Sequence, residues 1–99
     1  MIVERNEFLI KFGKIKEALV IWKEIIAELN KLEDNTMLRI LTDLTGQAYS
    51  LVIEFAIRDF VEIGLKNYQW GSNDKVAELY QKFVPLCKSS ERTLYKIEA

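Results

Sequence analysis

The stretch from Ala48 to Leu65, AYSLVIEFAIRDFVEIGL, decides how the chain is read. Its apolar residues fall on nearly every side of a 3.6-residue turn. Its main polar seam is Glu54, Arg58, Glu62 and Lys66, spaced four apart and alternating in sign. On a helix that spacing stacks opposite charges along one face. Arg39, Asp43, Gln47 and Ser50 continue the same face upstream. A helix with one narrow wet seam belongs at the centre of a bundle, with partners on its other sides.

On the N-terminal side, Phe8, Phe12, Ile15, Leu19, Trp22, Ile26 and Leu29 step by four and three alternately, a heptad seam widened by Ala18, Ile25 and Leu32. This predicts one helix over 3–32, in which Gly13 costs about 1 kcal/mol relative to alanine and serves as a close-approach site, a break there being the alternative. Asp34, Asn35 or Thr36 can cap a second helix over 36–68, with a kink near Gly46. The segment YQWGSND, 68–74, is a second turn: Gly71 can take the left-handed conformation that ends helices, and Ser72 or Asn73 can cap a third helix over 74–97. Pro85 lacks an N–H and clashes one turn back, so the third helix should be kinked or broken there, which would add a short fourth. Short turns make consecutive helices antiparallel neighbours. Trp22 is then set against Gly46 to Ala48, and Gly13 against Ala56. The predicted fold is all-α: an antiparallel bundle of three long helices forming a single domain over 1–99.

Composition limits the function. Apolar residues make up 49 % of the chain and charged residues 29 %, which fits a globular domain and not a disordered segment. Fourteen basic residues face fifteen acidic ones, and no segment builds the strongly basic field that dominates nucleic-acid affinity. The chain has no histidine, which removes His-activated nucleophiles, His general bases and His metal ligands together. One cysteine, Cys87, allows no intramolecular disulfide and suits a reducing compartment. MIVERNEFLI does not read as a signal peptide, and the longest purely apolar run, Ala18 to Trp22, is far shorter than the roughly 20 residues of a membrane span. A cytoplasmic location is the expectation.

The Glu54–Arg58–Asp59–Glu62 cluster reads as a salt-bridged solvent seam, because Arg58 between carboxylates works against a hard-cation site. Asp59 lies off that seam and is the acid whose partner most needs checking. Cys87 reads as a small buried hydrophobe, since no histidine can activate its thiol. Trp70 is either a staple against the next helix or an exposed anchor. No glycine-rich phosphate loop, CxxC pair or nucleophile elbow is present. No catalytic, cofactor-binding or metal-ligating residue is assigned.

The layout FGKIKEALVIWKE followed by a long second helix is similar to the small helical partners of minimal nucleotidyltransferases. The resemblance covers about half the chain and rests on helix pattern. The Arg…His pair of the related helical nucleases has no counterpart here, so no residue is carried over.

Ile10, Val20, Ile21 and Ala27 lie off the seam of the first helix, where either the N-terminal residues or the C-terminal segment cover them or another chain does, since an apolar patch on a small protein marks a contact. The expected function is a non-catalytic protein–protein interaction module, a homodimer or an accessory or regulatory subunit. Its interface would be Ile10, Val20, Ile21 and Ala27, with Trp70 at the rim. The competing expectation is a nucleic-acid-associated helical protein working through Lys11, Lys14 and Lys16 and through Lys75, Lys82, Lys88, Arg92 and Lys96. An enzyme ranks third.

Overall fold

A computed structural model describes residues 1–32, 36–46 and 49–99. The chain runs β1 (Ile2–Ile10), α1 (Ile15–Leu29), β2 (Met37–Thr42), β3 (Ser50–Ile57), α2 (Phe60–Ser72), α3 (Asp74–Phe83), a short 3₁₀ turn (Val84–Leu86) and β4 (Cys87–Lys96). The strands form one antiparallel sheet in the order β2-β3-β1-β4, so the fold is α+β with a split β-α-β arrangement. The all-α bundle is therefore wrong, and with it the helical layout on which the nucleotidyltransferase likeness rested.

The sheet exists because β3 alternates. Leu51, Ile53, Phe55 and Ile57 are all buried on one face, as a period of two demands. Across the register Glu4↔Phe55, Asn6↔Ile53 and Phe8↔Leu51, the even residues of β1 share that face. α1 adds Ala18, Ile21, Trp22, Ile25 and Leu29 at helical spacing, and α3 adds Val76, Leu79 and Phe83. The two layers meet in an aromatic knot: Phe83 packs edge-on against Phe8 at 4.9 Å and against Trp22 at 5.4 Å.

The predicted first helix is divided at Gly13, whose φ of +78° is left-handed and cannot continue a right-handed helix. Residues before it form β1, and only Ile15–Leu29 are helical. The predicted central helix splits into β3 and α2. Of its apolar residues, Leu51, Ile53 and Phe55 are buried, Ala56 is half-buried, and Phe60 is 72 % exposed. Asp59 is the N-cap of α2: its carboxylate accepts from the Glu62 N–H at 2.9 Å, while Glu62 reaches back to the Arg58 N–H at 2.8 Å. Asn73 caps α3 as expected, accepting from the Val76 N–H at 3.1 Å. Gly71 instead lies within α2, without a left-handed φ. The third helix does end by Pro85, but the chain continues as a strand. Trp22 packs against Phe8, Trp70, Tyr80 and Phe83. The expected caps Asp34 and Asn35, and Gln47 and Ala48 of the expected Trp22 contact and polar seam, lie outside the described residues.

The expected wet seam is dispersed. Arg58 and Glu62 remain an exposed i,i+4 pair at 3.2 Å, whereas Glu54 is only 2 % exposed. It sits on the face of β3 away from the helices, clamped between neighbouring strands. Arg39 of β2 donates to its Oε1, and Arg5 of β1 bonds its Oε2 at 2.7 Å. These guanidinium bonds, Arg39's first, outweigh burial and hold the Glu54 carboxyl below its usual value. A carboxyl depressed in the fold contributes stability that is present above the unfolded value near 4.5 and is lost as pH falls through the lower folded value. Chemical denaturation at neutral pH and near pH 3 should therefore show an acid loss that is smaller in Glu54→Gln. In the same assay at neutral pH, Phe83→Ala should cost about 3–5 kcal/mol through the cavity it leaves. Phe60→Ala, at an exposed position, should stay within about 0.5 kcal/mol.

Candidate functional site

The even positions of β1 place two polar side chains, Glu4 and Asn6, on the face that otherwise builds the core. Glu4 is 1 % exposed, and a carboxylate that deep needs a partner. α2 supplies it. Ile63, Lys66 and Trp70 recur at spacings of three and four, which turns all three toward the sheet. Lys66 is 8 % exposed and its Nζ donates to Glu4 Oε2 at 2.6 Å. The same ammonium lies 4.1 Å from the centre of the Phe55 ring and 5.2 Å from that of Trp70, so two aromatic faces take part of the role water would otherwise fill. Asn6 Nδ2 adds a bond to Glu4 Oε2 at 3.0 Å.

These groups form one wall of a cavity of about 370 Å³ between the sheet and helices α2 and α3. Phe8, Trp22, Phe55, Trp70 and Tyr80 make it aromatic, and the exposed Asn67, Gly71, Gln81 and Arg92 mark its mouth. Arg92 arrives on β4 opposite Asn6, and its guanidinium stands 3.9 Å from Glu4 Oε1, too far for a hydrogen bond. Among the described residues, two buried side-chain atoms have no hydrogen-bond partner: Glu4 Oε1 and Trp22 Nε1. Both residues line this cavity. Leaving such a group unmet costs roughly 1–3 kcal/mol, more when it is charged, and so calls for an explanation.

Tyr80 and Cys87 also have shifted values. Burial, with a smaller contribution from Cys87, raises the Tyr80 hydroxyl above its ordinary value. Burial also pushes the Cys87 thiol up to about 11, which makes it a poor nucleophile at neutral pH. Its Sγ lies 3.8 Å from the Phe83 carbonyl oxygen. Among the described residues, no group of three or more Cys, Asp or Glu side chains is placed to hold a metal ion, and no helix is long and apolar enough to cross a membrane.

The expected interface residues do not form one surface. Ile10 and Ile21 are buried in the core, so both are unavailable to a partner. Val20 and Ala27 are exposed on α1. Trp70 is half-buried in the cavity wall, 5.2 Å from Phe55 and 6.3 Å from Trp22 between ring centres. Helical periodicity puts Lys66 on a solvent seam and gives Glu4, Asn6 and Trp22 no site role. A signal for them exists all the same: Glu4 and Asn6 have the same parity as Phe8 and Ile10, so any strand through these residues puts an acid and an amide on its apolar face.

No family model matches the sequence. No curated protein matches it. Solved structures do. A NIPSNAP domain protein from Burkholderia xenovorans superposes with a TM-score of 0.87 at 19 % identity, covering 100 % of this chain and 96 % of that one. A NIPSNAP family protein from Agrobacterium tumefaciens also reaches 0.87, at 14 % identity over 97 % of this chain and 84 % of its own. A putative antibiotic biosynthesis monooxygenase from Nitrosomonas europaea gives 0.77 at 10 % identity over the full length of both. At these identities the likeness is one of fold: the chain has the α+β architecture shared by NIPSNAP and antibiotic biosynthesis monooxygenase proteins.

Proposed function

We propose that the protein binds a small ring-bearing molecule in the cavity between its sheet and helices α2 and α3, with Glu4 as the group that engages it. The observation that carries this reading is the Glu4 carboxylate itself. It is buried and fixed through Oε2 by Lys66 and Asn6, and its other oxygen, 3.9 Å from the Arg92 guanidinium, has no hydrogen-bond partner, in the wall of an aromatic cavity. Apolar pockets of some 300–1,000 Å³ with a few convergent polar groups are the usual form of small-molecule sites. The name of one neighbour with this fold, a putative antibiotic biosynthesis monooxygenase, agrees with a small-molecule role without specifying this chain's chemistry. A cytoplasmic location is part of the proposal, supported by the lone thiol at Cys87.

Trp22 and Trp70 are the only tryptophans and both line the cavity, so occupancy has a built-in reporter. Titration with one- and two-ring fragments should quench intrinsic fluorescence saturably and shift the Trp22 indole N–H resonance. Ala77→Phe, which fills the cavity from α3, should abolish both effects with circular dichroism unchanged. A Trp22 resonance unmoved by every fragment would overturn the reading.

A second reading, contact with another copy of the chain, is favoured by a face other than the one expected. Val61, Leu65 and Tyr68 recur at i, i+4 and i+7 on α2 and all are exposed, with Phe60 beside them. Two-fold self-association is the commonest way for a small protein to cover such a stripe. Light scattering should give a dimer mass for the wild type and a monomer mass for Val61→Lys with Leu65→Glu, the helical signal being kept. A wild type that is monomeric at high concentration would remove this reading.

A further inference from the structure

We propose, resting on the cavity being a binding site, that its ligand is a small aromatic acid that also carries an O–H or N–H group. Two unmet atoms set the polar requirements. Glu4 Oε1 is an acceptor without a donor and Trp22 Nε1 a donor without an acceptor, and both are buried in side chains that line the cavity. A ligand that satisfies both must present a hydrogen on one side and an acceptor oxygen on another. An indole N–H can only donate, so no proton shift within the protein alone relieves the second deficit.

The sign of the charge follows from the lining. It holds one carboxylate, Glu4, against one ammonium, Lys66, and one guanidinium, Arg92, leaving a net positive charge for a ligand to balance. Lys66 spends one of its three N–H groups on Glu4. Arg92 stands at the mouth, with more than half of its side chain exposed and no hydrogen bond to Glu4. A cationic ligand would have to enter past both positive groups to reach a carboxylate already ion-paired with each of them. An anionic oxygen meets donors instead: the Arg92 fork at the mouth and the Trp22 indole. The body of the ligand is set by Phe8, Phe55 and Trp70, whose rings offer stacking and edge contacts to a planar molecule.

Four probes separate these features by calorimetry: 4-hydroxybenzoate, benzoate, 4-hydroxybenzyl alcohol and tyramine. The first carries ring, anion and donor; the others lack the donor, the anion, or replace the anion by a cation. In the wild type, 4-hydroxybenzoate should bind about tenfold or more tighter than each of the other three. Arg92→Gln, a change at an exposed position, should weaken 4-hydroxybenzoate and benzoate about tenfold and leave 4-hydroxybenzyl alcohol unaffected. If tyramine or the alcohol binds as tightly as 4-hydroxybenzoate, the ligand class is wrong while the cavity remains a binding site. The ligand class is equally wrong if Arg92→Gln weakens all four alike. If none of the four binds and neutral aromatic fragments fail as well, the binding reading falls together with this one.

Discussion

The Glu4–Lys66 pair is the constraint that ties the two layers together. Each charge is all but removed from water, and burying either alone would cost several kcal/mol. The pair therefore couples the placement of β1 to that of α2. If α2 slides by one residue, Lys66 turns away from the sheet and Glu4 is stranded among Phe8, Phe55 and Ile53. Replacing both by apolar residues of like volume could pack as well, so stability alone does not explain the pair. What it provides is a carboxylate held in one orientation, with Oε2 tied down by two donors and Oε1 buried without a hydrogen bond.

The opposite face of the sheet offers an internal comparison. Glu54 is as deeply buried as Glu4, and it too is the acid at the middle of a cationic arrangement, yet both of its oxygens are occupied, Oε1 by Arg39 and Oε2 by Arg5. It stitches β1, β2 and β3 side to side, and nothing about it asks for an additional partner. The same chain thus completes one buried acid and leaves the other half-completed. That difference, within a single sheet and between chemically identical groups, is what the proposed binding role of Glu4 rests on.

What the sequence concealed follows from these two acids. Trp22 and Leu29 on the α1 stripe with Ala18 and Ile25 on its flank, the cap at Asn73 and the helix stop by Pro85 were legible, because each rests on local chemistry, whereas Ile21, set on the outer face, belongs to the core. The strands were not. β1 has polar residues, Glu4 and Asn6, at core-facing positions, which breaks the period-two apolar pattern. β3 fails for the opposite reason: Val52 and Ala56 make its outer face half-apolar, and Glu54, Arg58, Glu62 and Lys66 fall by chance at helical spacing across a strand, a turn and a helix. β4 is exposed along nearly its whole length and gives no apolar stripe to read. Gly13, the glycine between β1 and α1, was the local sign that could have divided the first long helix.

With no histidine in the chain, proton-exchanging groups among the described cavity residues reduce to Glu4, Lys66 and Tyr80. Burial raises the Tyr80 hydroxyl, so at neutral pH it stays protonated and cannot act as an anion. The Cys87 thiol, pushed up to about 11, is likewise neutral. Glu4 is left as the only anionic acceptor among the described residues that line the cavity, in a setting otherwise supplied with donors and rings. Its position on β1, its partner on α2 and the guanidinium on β4 come from segments far apart in sequence. The site therefore exists only when the sheet order is complete, and a chain that lost β4 would lose the charge at the mouth as well as an edge of the sheet.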